Sequence, residues 1–190
     1  MKAIDQHILD IFSEFFEVFV HNKEKFECFS KHGRQLEGWF KGELIVYLEK
    51  MKINNKIESF STEYNIENIE SSGKVDFGVQ IYKGNKLFKA LIELKHLTDK
   101  QPFRQYFLPN NSGSYASQMT KMVESLNKNN YFLVFFTKNP GKEKWEKMIL
   151  DFNNIYTKIY INDLTNPHNY PEYYFPALIN IKSRRRVENI

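Results

Sequence analysis

Two short stretches decide the fold of this chain, KVDFGV at residues 74–79 and ALIELK at residues 90–95. In the first, apolar side chains alternate with polar ones, and the second is an apolar run broken by one glutamate before its final lysine. Alternation and short apolar runs of this length predict β-strands. Gly84-Asn85 lies between the two stretches and predicts a tight turn, so we expect the strands to pair as a hairpin.

The charged side chains of this hairpin are expected to meet. Side chains alternate between the two faces of a strand, so Glu93 and Lys95 share a face while Leu94 points into the core. Hairpin pairing would bring Asp76 beside Glu93. A carboxylate in an apolar run is costly to bury unless it is paired or bound to a metal. Two carboxylates and an ammonium group at one point suit a hard divalent cation, with an amine close enough to steer a water molecule.

The spacing of these residues resembles a known nuclease motif. Asp76, sixteen intervening residues and then Glu93-Leu94-Lys95 resemble the PD-(D/E)xK nuclease superfamily, which has the restriction-endonuclease-like fold; the usual Pro before the Asp is Val75 here. The resemblance implies that Asp76 and Glu93 bind Mg²⁺, for which Mn²⁺ would substitute, and that the backbone carbonyl of Leu94 adds a ligand. It also implies that Lys95 orients the attacking water or stabilises the pentavalent phosphate.

Further site residues are implied by the helices on either side of the motif. Many members of the superfamily add a glutamate from the helix before the sheet, and the helix predicted here contains both Glu37 and Glu43. They are six residues apart and lie on different helix faces, so we expect one of them to serve the site, and both stay candidates. For the helix predicted after the motif, the resemblance implies substrate contacts from Gln118 and from Lys121, the latter with a phosphate; the alternative is that both lie on the solvent-exposed surface.

The order of elements around the motif predicts an α/β protein. From residue 34 onward it matches the αβββαβ core of the superfamily, with the motif on the second and third strands. We therefore expect a restriction-endonuclease-like core at residues 34–161, in which helices flank a mixed central sheet, with an added N-terminal helix and a C-terminal extension at 162–190. Helical periodicity marks 5–20, 34–50, 114–127 and 141–152, and strand patterns mark 56–66, 74–83, 86–95, 131–136 and 155–161.

Length and composition predict one domain spanning residues 1–190. A hydrophobic fraction of 42% suffices for a full core, and the net charge of +4 is compatible with nucleic acid as a partner. The single Cys28 excludes an internal disulfide and a multi-cysteine zinc site, which suits a reducing cytoplasm. The most apolar early segment, residues 8–20, contains three acidic residues, so we expect neither a secretion signal nor a membrane span.

Together these features predict a metal-dependent nuclease that hydrolyses phosphodiester bonds, with DNA as the expected substrate. Restriction, defence, phage and repair enzymes all fit. The alternative from another class is a non-catalytic module that keeps the nuclease fold to bind nucleic acid or protein. The phenylalanines of residues 8–19 predict the inner face of a core helix or, alternatively, a homodimer interface, which would supply two sites for cutting both strands of a duplex.

Overall fold

The structure is a computed structural model that describes residues 3–20, 23–32, 36–66, 73–97, 129–161 and 175–184. In these ranges the chain forms four helices and six strands. None of the described helices combines the length and the apolar character that crossing a bilayer requires. The helices are α1 (Ala3–Val20), α2 (Lys23–His32), α3 (Glu37–Ile53) and α4 (Lys142–Ile155), and the strands are β1 (Ser59–Asn65), β2 (Lys74–Lys83), β3 (Lys86–Leu97), β4 (Asn130–Phe136), β5 (Tyr156–Ile161) and β6 (Phe175–Arg184).

The strands form one mixed sheet in the order β1-β2-β3-β4-β6-β5, which confirms the α/β class. β3 and β4 run parallel, and the other neighbouring pairs are antiparallel. The predicted hairpin of β2 and β3 is confirmed, with Phe77 opposite Ile92 and Lys83 opposite Lys86. Gly84 in its turn has φ +57°, a left-handed conformation that glycine adopts without the steric penalty of a side chain.

Two described elements, α2 and β6, were not predicted from the sequence. β6 lies in the segment expected to be a C-terminal extension, yet it pairs antiparallel with both β4 and β5. Its residues Ala177, Leu178 and Ile179 are buried, as befits a strand inside a sheet. Pro176 and two earlier prolines made this segment resemble a loop in the sequence, because proline is rare within central strands. The sheet therefore extends beyond residue 161.

The main core lies between the sheet and the helices α1 and α3. Phe40 of α3 stacks on Phe135 of β4, with ring centroids 3.9 Å apart, and meets Phe15 of α1 edge-on at 5.3 Å. Phe12 and Phe16 of α1 are buried in the same cluster. The predicted inner face of the first helix is thus confirmed for these phenylalanines, and they are not exposed for contact between protomers.

The contacts of α3 determine which of its side chains reach β2 and β3. Phe40 is fully buried against β4, and the backbone N–H of Leu36, just before the helix, donates to Nδ1 of His96 on β3 at 3.2 Å. These contacts hold the first turns of α3 beside the end of β3. Glu37 and Lys41, one helical turn apart, consequently face the carboxylates of the hairpin.

Candidate active site

Asp76 and Glu93 are joined through the backbone of the two strands that carry them. The Asp76 backbone N–H donates to Oε2 of Glu93 at 3.3 Å, and the Leu94 backbone N–H donates to Oδ2 of Asp76 at 2.8 Å. Each carboxylate is therefore oriented by a main-chain group of the opposite strand. The two acidic side chains predicted to meet do lie together, at the end of the hairpin away from its turn.

Lys95 is the cation at the centre of this group. Its Nζ lies 2.8 Å from Oε1 of Glu93, 3.3 Å from Oε1 of Glu37 and 4.0 Å from Oδ2 of Asp76. Burial of the Lys95 side chain acts to lower its pKa, but the carboxylates, above all Glu93, more than offset this effect and raise the pKa above its ordinary value. Lys95 is therefore charged at neutral pH.

Glu93 has an unusual protonation equilibrium. Burial raises its pKa to about 7, and the negative charge of Asp76 adds to this rise, while the ammonium of Lys95 opposes it. Near neutral pH both the acid and the carboxylate are populated. A divalent cation bound at Glu93 would favour the carboxylate, so cation binding there would release a proton.

The structure distinguishes the two glutamates of α3. Glu37 reaches the site, where its Oε1 pairs with Lys95 and its Oε2 accepts the backbone N–H of His96 at 3.2 Å. Glu43 lies six residues further along the helix and is half-buried, and within the described parts of the chain it makes no ion pair with Lys95 or Lys41. Of the two candidates, Glu37 is the one that the fold brings to the motif.

Lys41 is a second site lysine, which was not predicted from the sequence. Its Nζ lies 2.7 Å from Oδ1 of Asp76 and also pairs with the carboxylate of Glu63 on β1. Lys41 is four residues after Glu37, so the i, i+4 spacing was a signal that the two side chains share a helix face. Glu63 carried no comparable signal, since its place in the site depends on how β1 is bent.

The bend in β1 occurs at Glu63 itself. Glu63 has φ +50°, a left-handed conformation that is uncommon for a residue with a side chain. The paired residues Thr62–Phe77 and Tyr64–Val75 flank it, which puts Glu63 level with Asp76 at a gap in the ladder. Phe60 packs on the main core whereas Tyr64 packs on a separate small cluster, although residues four apart share a face of a regular strand. The strand therefore changes direction at Glu63, so that side chains before and after it, which would share a face of a regular strand, point to different faces.

His96, the residue after the motif, has a packing role. Its ring stacks on Phe135 at 4.8 Å between centroids, and its Nδ1 accepts the Leu36 N–H. Burial lowers the pKa of His96 to about 4, so the ring is neutral at pH 7. A neutral imidazole held in this way fixes the start of α3 against β3.

The donor set of the site fits a hard divalent cation in its chemistry. Within the described residues, no group of three His, Cys, Asp or Glu side chains has an arrangement that could hold a metal ion. Asp76 and Glu93 nevertheless offer two carboxylates, and Mg²⁺ commonly binds one or two carboxylates while keeping several waters. Together with Glu37 and Glu63, four described carboxylates face two ammonium groups, which leaves an excess of two negative charges when all are ionised.

Three other predicted positions stay predictions. The Leu94 N–H donates to Asp76, and the metal-ligand role of the Leu94 carbonyl stays a prediction. Gln118 and Lys121 lie outside the described residues.

Comparison with protein-family models, curated proteins and solved structures found no match to this chain.

Proposed function

We propose that this chain is a Mg²⁺-dependent nuclease that hydrolyses phosphodiester bonds, with DNA as its expected substrate. One observation carries the proposal: Asp76 and Glu93 exchange hydrogen bonds with each other's strands, and the Nζ of Lys95 lies within 4.0 Å of both carboxylates. Two adjoining carboxylates and a buried ammonium suit cation-assisted attack of water on an anionic phosphodiester.

The side chains divide the work by position. Asp76 and Glu93 would hold the divalent cation, which when bound neutralises the phosphate, lowers the pKa of water and stabilises the leaving oxygen. Lys95 carries a fixed positive charge beside them and would orient the water or stabilise charge on the phosphate. Glu37 pairs with Lys95 and with the backbone of the next residue, so it positions that ammonium.

The order of elements also supports the restriction-endonuclease-like core. α3, β1, β2, β3 and β4 occur in the chain order of the αβββαβ pattern, with the motif on the second and third of these strands. The helix expected between β3 and β4 falls outside the described residues. β3 and β4 are parallel, and such a connection commonly contains a helix.

One observation favours the alternative of a non-catalytic module. Both site lysines already pair with the carboxylates, so the positive charges of the site are compensated within the protein itself. A module that binds nucleic acid or protein without cutting would need no more than this. The two functions differ in whether a divalent cation leads to product, which a cleavage assay decides.

The cleavage assay compares wild type with two aspartate variants purified in parallel. Plasmid, linear and single-stranded DNA and RNA are incubated with Mg²⁺, Mn²⁺ or EDTA. We expect wild type to cleave with either metal and Asp76→Asn to lose at least about 100-fold in rate, because a lost metal ligand removes several kcal/mol of transition-state stabilisation. Asp10→Asn, which changes an exposed aspartate on α1, should cleave like wild type.

Circular dichroism would establish that both variants are folded. Full-rate cleavage by both Asp76→Asn and wild type, retained when the proteins are purified by a second route, would refute the site. Weak cleavage that is equal in all three preparations and is lost on such purification would identify a contaminating nuclease. Wild-type protein that binds nucleic acid and Mg²⁺ but forms no product would support the non-catalytic alternative.

A further inference from the structure

The two lysines of the site differ in their access to solvent. The side chain of Lys95 is 9% exposed and is enclosed by Glu93, Glu37 and Asp76. The side chain of Lys41 is 22% exposed, and its second partner, Glu63, is 56% exposed. Of these two cations, Lys41 is therefore the one at the boundary between the carboxylates and the solvent from which a substrate would arrive.

Lys41 occupies an oxygen that a cation would need. It contacts Oδ1 of Asp76, while Oδ2 of the same carboxylate is taken by the Leu94 N–H. Burial acts to lower the pKa of Lys41, but Asp76 and Glu63 more than offset it, so the pKa is raised and the ammonium is charged. A divalent cation at Asp76 would repel this ammonium at close range.

The ammonium can leave Asp76 once a divalent cation takes its place there. The Lys41–Asp76 pair is mostly buried, with side chains 22% and 13% exposed, so it breaks only when the cation compensates the Asp76 carboxylate instead. The other partner of Lys41, Glu63, is largely exposed and restrains the ammonium little. The lysine side chain is also a flexible four-carbon chain with three donors, which can turn to a new acceptor nearby. The acceptor most available beside a cation-loaded site is an oxygen of the incoming phosphate.

We infer that Lys41 is a phosphate-binding residue of this site, which exchanges Asp76 for a phosphate oxygen of nucleic acid when a divalent cation binds the Asp76 carboxylate. The inference rests on the proposed function, from which it takes the class of substrate. Its consequence is coupling: the cation frees one positive charge for the nucleic acid, so Lys41 contributes to binding only in the cation-loaded protein.

The salt dependence of binding tests this exchange. Anisotropy of a fluorescein-labelled DNA duplex gives the affinity over a series of KCl concentrations, once in EDTA and once in Ca²⁺, a hard cation with the same preference for oxygen ligands. One phosphate contact changes the slope of log K against log salt by about 0.9. In Ca²⁺, we expect the slope for Lys41→Met to be less steep than that of wild type by about 0.9. In EDTA, the slopes of the two proteins should be equal.

Two further variants make the comparison specific. Lys52→Met removes a lysine of the same helix that pairs with Glu49 at 3.7 Å, and it should match wild type in both buffers. Lys41→Arg keeps the charge and should retain the wild-type slope in Ca²⁺. Urea denaturation of each variant would establish that the compared proteins are folded, and if Lys41→Met is unfolded, Lys41→Gln takes its place.

The outcomes separate this inference from the proposed function. Wild-type slopes for the folded Lys41→Met variant in Ca²⁺ would overturn the phosphate contact. An equal loss of slope in EDTA and Ca²⁺ would overturn the exchange, since Lys41 would then bind phosphate without a cation. Cleavage of DNA by wild type in Mg²⁺ is measured alongside. If wild type cleaves DNA and either of these two negative results is found, only the inference about Lys41 is overturned. If wild type cleaves no DNA, the proposed DNA nuclease is overturned.

Discussion

Replacing Glu93 by glutamine tests the electrostatics of the site through protein stability. Burial raises the pKa of Glu93 from its ordinary 4.5 to about 7, so the folded protein binds this proton more tightly than the unfolded chain does. The resulting stabilisation is fully present below pH 4.5 and is lost as the pH rises through 7. At about 1.4 kcal/mol per pKa unit, the amount lost is about 3 kcal/mol.

Glutamine cannot titrate, so the stability of Glu93→Gln should lack this loss. We expect the free energy of unfolding of the variant, minus that of wild type, to rise by about 3 kcal/mol between pH 4.5 and pH 8 in EDTA. His96 titrates in both proteins over part of this range, with its pKa lowered to about 4, and its contribution cancels in the difference. Urea denaturation followed by the fluorescence of Trp39 and Trp145 gives both curves.

A stability measurement in Mg²⁺ and a control variant complete this test. Mg²⁺ in large excess should raise the stability of wild type at pH 8, by about 2.7 kcal/mol at 100 times the dissociation constant, and should stabilise Glu93→Gln much less. Glu49→Gln changes a half-exposed glutamate of α3 outside the site and is the control for a glutamate-to-glutamine change. A pH-independent difference for Glu93→Gln would refute the raised pKa, and equal responses of Glu93→Gln and wild type to Mg²⁺ would refute Glu93 as a ligand.

Two other substitutions separate chemistry from packing. Lys95→Met should lower kcat by about 100-fold or more with a smaller change in nucleic-acid affinity, because a buried ammonium acts on the chemical step; single-turnover rates and anisotropy check this, and a loss confined to affinity would make Lys95 a phosphate anchor only. Phe40→Ala should reduce the free energy of unfolding by about 3–5 kcal/mol, since it removes a fully buried ring stacked on Phe135; urea denaturation measures it against Val46→Ala, an exposed change on α3 expected to stay within about 0.5 kcal/mol, and similar values for the two variants would contradict the packing described.

The hairpin and its two carboxylates could be predicted from the sequence because they depend on local rules. Alternation of apolar residues marks each strand, and the glycine of the turn adopts the positive φ that the tight connection requires. Once the turn is placed, the antiparallel register follows by counting, and Asp76 must come beside Glu93. The two strands and their turn are contiguous in the chain, so their pairing needs no contact with a distant segment.

The choice between Glu37 and Glu43 could not be made in the same way. Both residues lie on α3, and helical periodicity says only that they face different directions. Which direction meets the motif depends on how the helix sits on the sheet, and that is fixed by Phe40 on Phe135 and by Leu36 on His96. These contacts join residues far apart in the chain.

The strand β6 and the site residues Lys41 and Glu63 also could not be predicted from local sequence patterns. β6 lies in the sheet between β4 and β5, although Pro176 and the two prolines before the strand resemble a loop, because its buried apolar residues pack within the sheet. Lys41 reaches the site because of the position in which α3 packs on the sheet, and Glu63 reaches it because of the left-handed bend of β1. The sequence by itself determined the two carboxylates and Lys95, which neighbouring strands bring together; the tertiary structure alone decided their further partners, because packing between distant segments has no local pattern in the chain.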